Sequence, residues 1–126
     1  MKINWLPPAL VRYTDDLPET VGGNAFGPYV RIRPEYKDDL GIHEHEFAHV
    51  QVFWLTLGLS LVLGNFKRFR LWNEGRAYLV QTKYPDRHGE FMTIEDAALR
   101  MAMHARYKFE MSYAAALAYL TAMKER

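Results

Sequence analysis

The chain has 126 residues, 49% of them apolar, which is enough for one packed core and too few for two ordinary domains. Its 16 Lys and Arg against 15 Asp and Glu leave a formal net charge of +1, so no global field draws it to nucleic acid or to an anionic membrane. The absence of cysteine excludes disulfides, thiolate metal sites and a cysteine nucleophile, and it suits a reducing cytoplasm, the compartment expected here.

In chain order, Met1-Lys2-Ile3-Asn4-Trp5-Leu6-Pro7-Pro8 is broken by two prolines where a secretory leader would carry its apolar core, and no cleaved leader is expected. The first forty residues read as strand and turn. Ala9 to Tyr13 is short and apolar-rich, and Pro18 and the Gly22-Gly23-Asn24 cluster punctuate the stretch beyond it. Tyr29-Val30-Arg31-Ile32-Arg33 alternates apolar and charged, as a half-buried strand does; the bracketing Pro28 and Pro34 predict an edge position. Asp38 and Asp39 offer capping carboxylates ahead of a long proline-free run, which predicts a helix from near Leu40. Beyond Phe47 that helix is apolar on every side, the mark of a central helix surrounded by protein or lipid. Gly58 and Gly64 predict its end or bend, with the chain turning around Gly64-Asn65.

A second helix is expected from about Phe69 to Lys83, closed by Pro85 and the Asp86-Arg87-His88-Gly89 loop. Thr93-Ile94-Glu95-Asp96 reads as a capped start of a third, with Ile94, Ala97, Ala98, Met101 and Ala105 along one face. Met111 to Lys124, with Leu117, Leu120 and Met123 at helical intervals, makes a fourth. The fold class is therefore α+β: one domain over residues 1–126, with a small N-terminal sheet in 1–40 and a bundle of about four helices in 41–126. Val50 to Phe66 is an uncharged stretch of 17 residues followed by Lys67-Arg68-Phe69-Arg70. A bilayer span needs about 20 apolar residues, and Gln51, Thr56, Ser60 and Asn65 dilute this one, so a buried helix is the expectation and a membrane-embedded protein the alternative.

The chemistry concentrates in His43-Glu44-His45-Glu46-Phe47-Ala48-His49, where a single register, His45, Glu46 and His49, satisfies H-E-x-x-H. Residues four apart on a helix lie one above the other, so the two imidazoles can converge on one tetrahedral ion, with Glu46 beside it as general base. Catalytic zinc normally takes a third protein ligand, and Glu74 is the candidate, returned alongside the first helix by an antiparallel second one. His43 is expected to be solvated at the helix start, Arg68 and Arg70 to form a solvated face, and Trp54 and Trp72 to pack between the two metal-bearing helices.

Trp72-Asn73-Glu74-Gly75-Arg76-Ala77 resembles the W-x-N-E-G-x-A signature of the gluzincin metallopeptidases, most closely their aminopeptidase branch, with Trp72 one residue nearer to Asn73. The resemblance covers about thirty-five residues, His45 to Leu79. It implies His45, His49 and Glu74 as zinc ligands, Glu46 as base, and a small sheet whose edge strand holds an extended peptide, a role open to Tyr29–Arg33. Tyr78 stands where thermolysin-like enzymes carry an aspartate that orients a zinc-bound histidine. The metzincin continuation is absent, since Val52 and Leu55 stand at its positions.

The expected function is zinc-dependent hydrolysis of a peptide or protein substrate, with no nucleic-acid partner. The alternative from another class is an inactive, zinc-stabilised binding or assembly protein. Donors for a tetrahedral transition state would come from Tyr78, His88, His104 or Tyr107.

Overall fold

Alternation in the first third of the chain resolves into a four-stranded sheet in the computed structural model, which describes residues 1–103 and 109–126. The strands are β1 (Lys2–Trp5), β2 (Pro8–Tyr13), β3 (Gly23–Phe26) and β4 (Tyr29–Ile32), in spatial order β1-β2-β4-β3. β2 and β4 run parallel, and each outer strand is antiparallel to its neighbour. The strand expected at the edge is thus internal. Pro28 lies in the β3–β4 turn and Pro34 opens a 3-10 turn (Pro34–Tyr36), so neither proline removes a hydrogen bond from the ladder.

The edge next to β4 belongs to β3, which begins in the glycine cluster read from sequence as a turn. A Cβ at Gly23 would lie 3.1 Å from the Arg31 carbonyl oxygen and 3.4 Å from Glu46 Oε2, so the bare backbone is what lets this strand pass so close to the helix behind it. Val30 and Ile32 are fully buried on one face of β4. Arg33, directly after β4, grips the preceding loop through the carbonyls of Leu17, Pro18 and Val21.

Helix α1 (Leu40–Leu55) packs across the sheet, and its N-cap is Asp39, whose carboxylate accepts from the Ile42 amide at 2.9 Å. Ala9, Val11, Val30, Ile32 and Val50 form the core between them. Beyond Val52 the all-round apolar character of α1 does not signify burial, because Trp54 and Leu55 are exposed. The chain leaves α1 through Leu57 and Gly58, both at positive φ (53° and 87°), makes a single helical turn, α2 (Ser60–Leu63), and enters α3 (Lys67–Gln81).

α3 returns along α1. Its far face carries α4 (Ile94–Met103) and α5 (Tyr113–Lys124) around a second core of Tyr78, Ala97, Ala98, Met101, Ala116 and Leu120. α4 begins at the cap its sequence predicts, and α5 begins at Tyr113, two residues after the expected Met111. Thr93 Oγ1 accepts from the Asp96 amide while Asp96 Oδ2 accepts from the Thr93 amide, and Ser112 Oγ caps α5 through Ala115. Gly75, beside Glu74, lets α5 approach closely: a Cβ there would meet Tyr119, Met123 and Leu120 at 3.2 to 3.4 Å. The result is α+β, with the α1–α3 seam lying between two apolar cores. The expected position of Ala105 falls outside the described residues.

Candidate metal centre

The i, i+4 spacing on α1 stacks His45 above His49, with ring centroids 5.1 Å apart, and both rings face α3. From α3, the Glu74 carboxylate reaches between them: Oε1 is 2.8 Å from His45 Nε2 and Oε2 is 3.3 Å from His49 Nε2. One ligand atom from each of the three residues lies within 4.8 Å of the others, a group that could hold a metal ion. Two donors about 2.1 Å from one tetrahedral ion stand roughly 3.4 Å apart, so the observed separations suit a shared ion with small adjustment. Two imidazole nitrogens and one carboxylate are, moreover, the donor set of a zinc site with an open position. The buried Nδ1 of His45 has no hydrogen-bond partner among the described residues, so this ring is held by packing and by Glu74 alone.

Asn73 fixes the other ring. Its Oδ1 lies 2.9 Å from His49 Nδ1 and accepts the ring N–H, which leaves Nε2 facing Glu74. The Asn-Glu pair is visible in the sequence, but the role of its first member becomes legible only when α1 and α3 are side by side. Arg76 locks the same seam by donating to the Ala48 carbonyl oxygen at 3.1 Å and to Gln51 Oε1.

Glu74 is 3% exposed, and burial of this kind opposes charge on every member of the cluster. For His49 burial pushes the pKa down, but the negative charges of Glu74 and Glu46 and the bonds to Glu74 and Asn73 overcome it and raise the value from 6.5 to about 9. Burial likewise pushes Glu74 up, and the two histidines more than reverse this, holding its carboxyl well below 4.5. Without metal the site is therefore a buried carboxylate neutralised by a protonated imidazole, and a cation can take that proton's place.

Glu46, 4% exposed, lines a cleft of about 620 Å³ together with His45, His49, Glu74 and Tyr78 on one side and Gly22, Gly23 and Asn24 on the other. Tyr78 packs its ring edge-on against His45 with centroids 4.6 Å apart. Of the expected transition-state donors, Tyr78 is thus brought to the cluster, whereas His88 sits exposed in the 86–90 loop outside this cleft. His104 and Tyr107 lie outside the described residues.

Three other expectations are corrected. His43 is 8% exposed rather than solvated: its Nδ1–H donates to the Asp39 carbonyl at 2.6 Å and its Nε2 accepts from Tyr13 Oη–H at 2.9 Å, tying α1 to the sheet. Trp54 and Trp72 do not pack between α1 and α3; at 44% and 41% exposure, one donates to the Pro8 carbonyl oxygen and the other tilts against Phe69. Arg68 is solvated, but Arg70 is half-buried and holds the Gly64 carbonyl oxygen. The chain matches no protein-family model, no curated protein and no solved structure.

Proposed function

We propose that this protein is a zinc-dependent peptidase of gluzincin type, with His45, His49 and Glu74 as ligands and Glu46 as general base. The observation that carries the reading is the convergence of the three ligand side chains in a cleft that Glu46 also lines. Zinc bound there supplies a Lewis acid, able to polarise a carbonyl and to bring the pKa of water to about 7.

The chain's own residues supply the rest. Glu46 takes a proton from the attacking water and later delivers it to the leaving amine. Its carboxylate stands beside Gly23 on the open edge of the sheet, where an extended peptide would lie. The Arg33 amide donates to the Gly22 carbonyl oxygen, and antiparallel alternation then turns the N–H and C=O of Gly23 and Ala25 away from β4, where among the described residues they are available to a substrate strand. Tyr78, packed on His45, is the one of the four expected donors that the described residues bring to the cluster, and it takes the role of donor to the developing oxyanion.

Glu46→Gln tests the assignment. The variant is expected to keep its zinc and its melting temperature while cleavage of a mixed peptide library falls by about 10²- to 10⁴-fold. Full turnover in metal-loaded Glu46→Gln would remove Glu46 as base. Wild type that binds zinc yet cuts nothing would favour a zinc-stabilised binding protein.

A further inference from the structure

Large apolar side chains normally stand singly on a surface, and a gathered patch marks an interaction site. One end of this molecule gathers them. Parallel pairing of β2 with β4 sets the β1–β2 and β3–β4 turns at the same end of the sheet. The α1 C-terminus joins them there through the bond from Trp54 Nε1 to the Pro8 carbonyl oxygen, 2.8 Å. The end of β1 and the turn after it present Trp5 and Leu6, the latter 93% exposed, and the end of α1 and the α1–α3 connection present Leu55, Leu57, Leu59 and Val62, with Leu57 91% exposed. Leu6 and Leu57 sit on separate turns, not on one helix or strand face, an arrangement suited to entering a soft phase more than to matching a rigid partner.

Charge points the same way. The segments that build this end, residues 5–8, 26–28 and 54–68, contain no Asp or Glu. Lys67 and Arg68 stand exposed directly after Phe66, itself 62% exposed. The small net charge of the whole chain hides this local basic rim.

We propose that this end docks peripherally on an anionic lipid bilayer, with the turn tips in the boundary between headgroups and acyl chains and Lys67 and Arg68 against the headgroups. No helix among the described residues is long and apolar enough to cross a membrane, so the contact is interfacial. A pocket of about 270 Å³ lined by Phe26, Phe53 and Leu61 also reaches His49 and Glu74, which places the metal centre next to the docking end. Docking itself draws on none of the metal ligands.

The test is flotation of the full chain with vesicles of equal parts phosphatidylglycerol and phosphatidylcholine, against phosphatidylcholine alone, at low ionic strength. Wild type is expected to bind the anionic vesicles at least about tenfold more strongly, with added salt reducing the difference. Leu6→Glu/Leu57→Glu and Lys67→Glu/Arg68→Glu should each lose about tenfold or more while keeping the wild-type melting temperature, because all four positions are exposed. No flotation of wild type, or flotation of either double variant equal to that of wild type, would overturn the proposal. So would a lipid-free dimer in sedimentation velocity that Leu6→Glu/Leu57→Glu abolishes without any effect of vesicles, which would assign the face to a second copy of the chain.

Discussion

Between α1 and α3, His45, Glu46 and Glu74 are buried at 8%, 4% and 3% exposure, whereas at the turn-built end Leu6 and Leu57 stand at 93% and 91%. The two regions invert the usual distribution of polar and apolar groups in opposite senses. Burying ionisable groups costs several kcal/mol per ion before pairing repays it, and leaving a leucine in water forgoes about 1.5–3 kcal/mol of available burial. Neither arrangement is what folding stability alone would select. The seam keeps its charges because they meet one another around a place for a cation, while the end keeps its leucines exposed on short turns. Apolar periodicity marks where a chain can be buried, and only the packing decides whether it is.

The seam can be broken without touching a ligand. Asn73→Ala removes the acceptor that orients His49 and should weaken zinc binding by about 10- to 100-fold, measured by competition with a chromophoric chelator. Unchanged affinity would mean that Glu74 and packing alone set the ring.

A smaller effect separates the metal-free seam from the metal-loaded one by pH. The folded-state pKa of His49 is raised from 6.5 to about 9, so its contribution to stability is complete below about 6.5 and is lost as pH rises through about 9. Glu74 is depressed below 4.5, so its contribution is present above that value and is lost as pH falls through the depressed one. The metal-free protein should melt highest between about pH 4.5 and 6.5, and its melting temperature should fall toward pH 9. With zinc the trend over pH 6.5 to 9 should reverse, because the metal competes with the His49 proton. Parallel melting curves with and without zinc would sever the link between the proton and the metal site.

The smallest effect is at the exposed end. Leu57 holds φ 53°, a region that asparagine tolerates better than leucine, so Leu57→Asn should leave stability unchanged or raise it by up to about 1 kcal/mol in urea titration. A clear loss would mean that Leu57 makes contacts its exposure does not reveal.

Legibility in the sequence followed the range of the interaction. His45, Glu46 and His49 were readable because their relation is local to one helix, and Glu74 because a second short motif marks it. The starts of α1 and α4 were readable for the same reason, each cap lying within three residues of its partner. What depended on distant pairing was hidden. β3 is a strand only because β4 lies beside it, and the Gly22-Gly23 pair at its start by itself signals a turn. His43 is buried by Tyr13, thirty residues away, which no local pattern around the helix start encodes. Trp54 and Trp72 show the converse: bulk and hydrophobicity suggested a place between the helices that the small, polar, interlocked seam has no room to give.

The proposed chemistry stands or falls on whether His45, His49 and Glu74 hold one zinc ion. Inductively coupled plasma mass spectrometry on chain purified without chelator, comparing wild type with folded His49→Ala and Glu74→Ala, decides it. One zinc per wild-type chain is expected, with little or none in either variant. Wild type that takes up no zinc even after reconstitution, or variants that retain it in full, would contradict the ligand assignment.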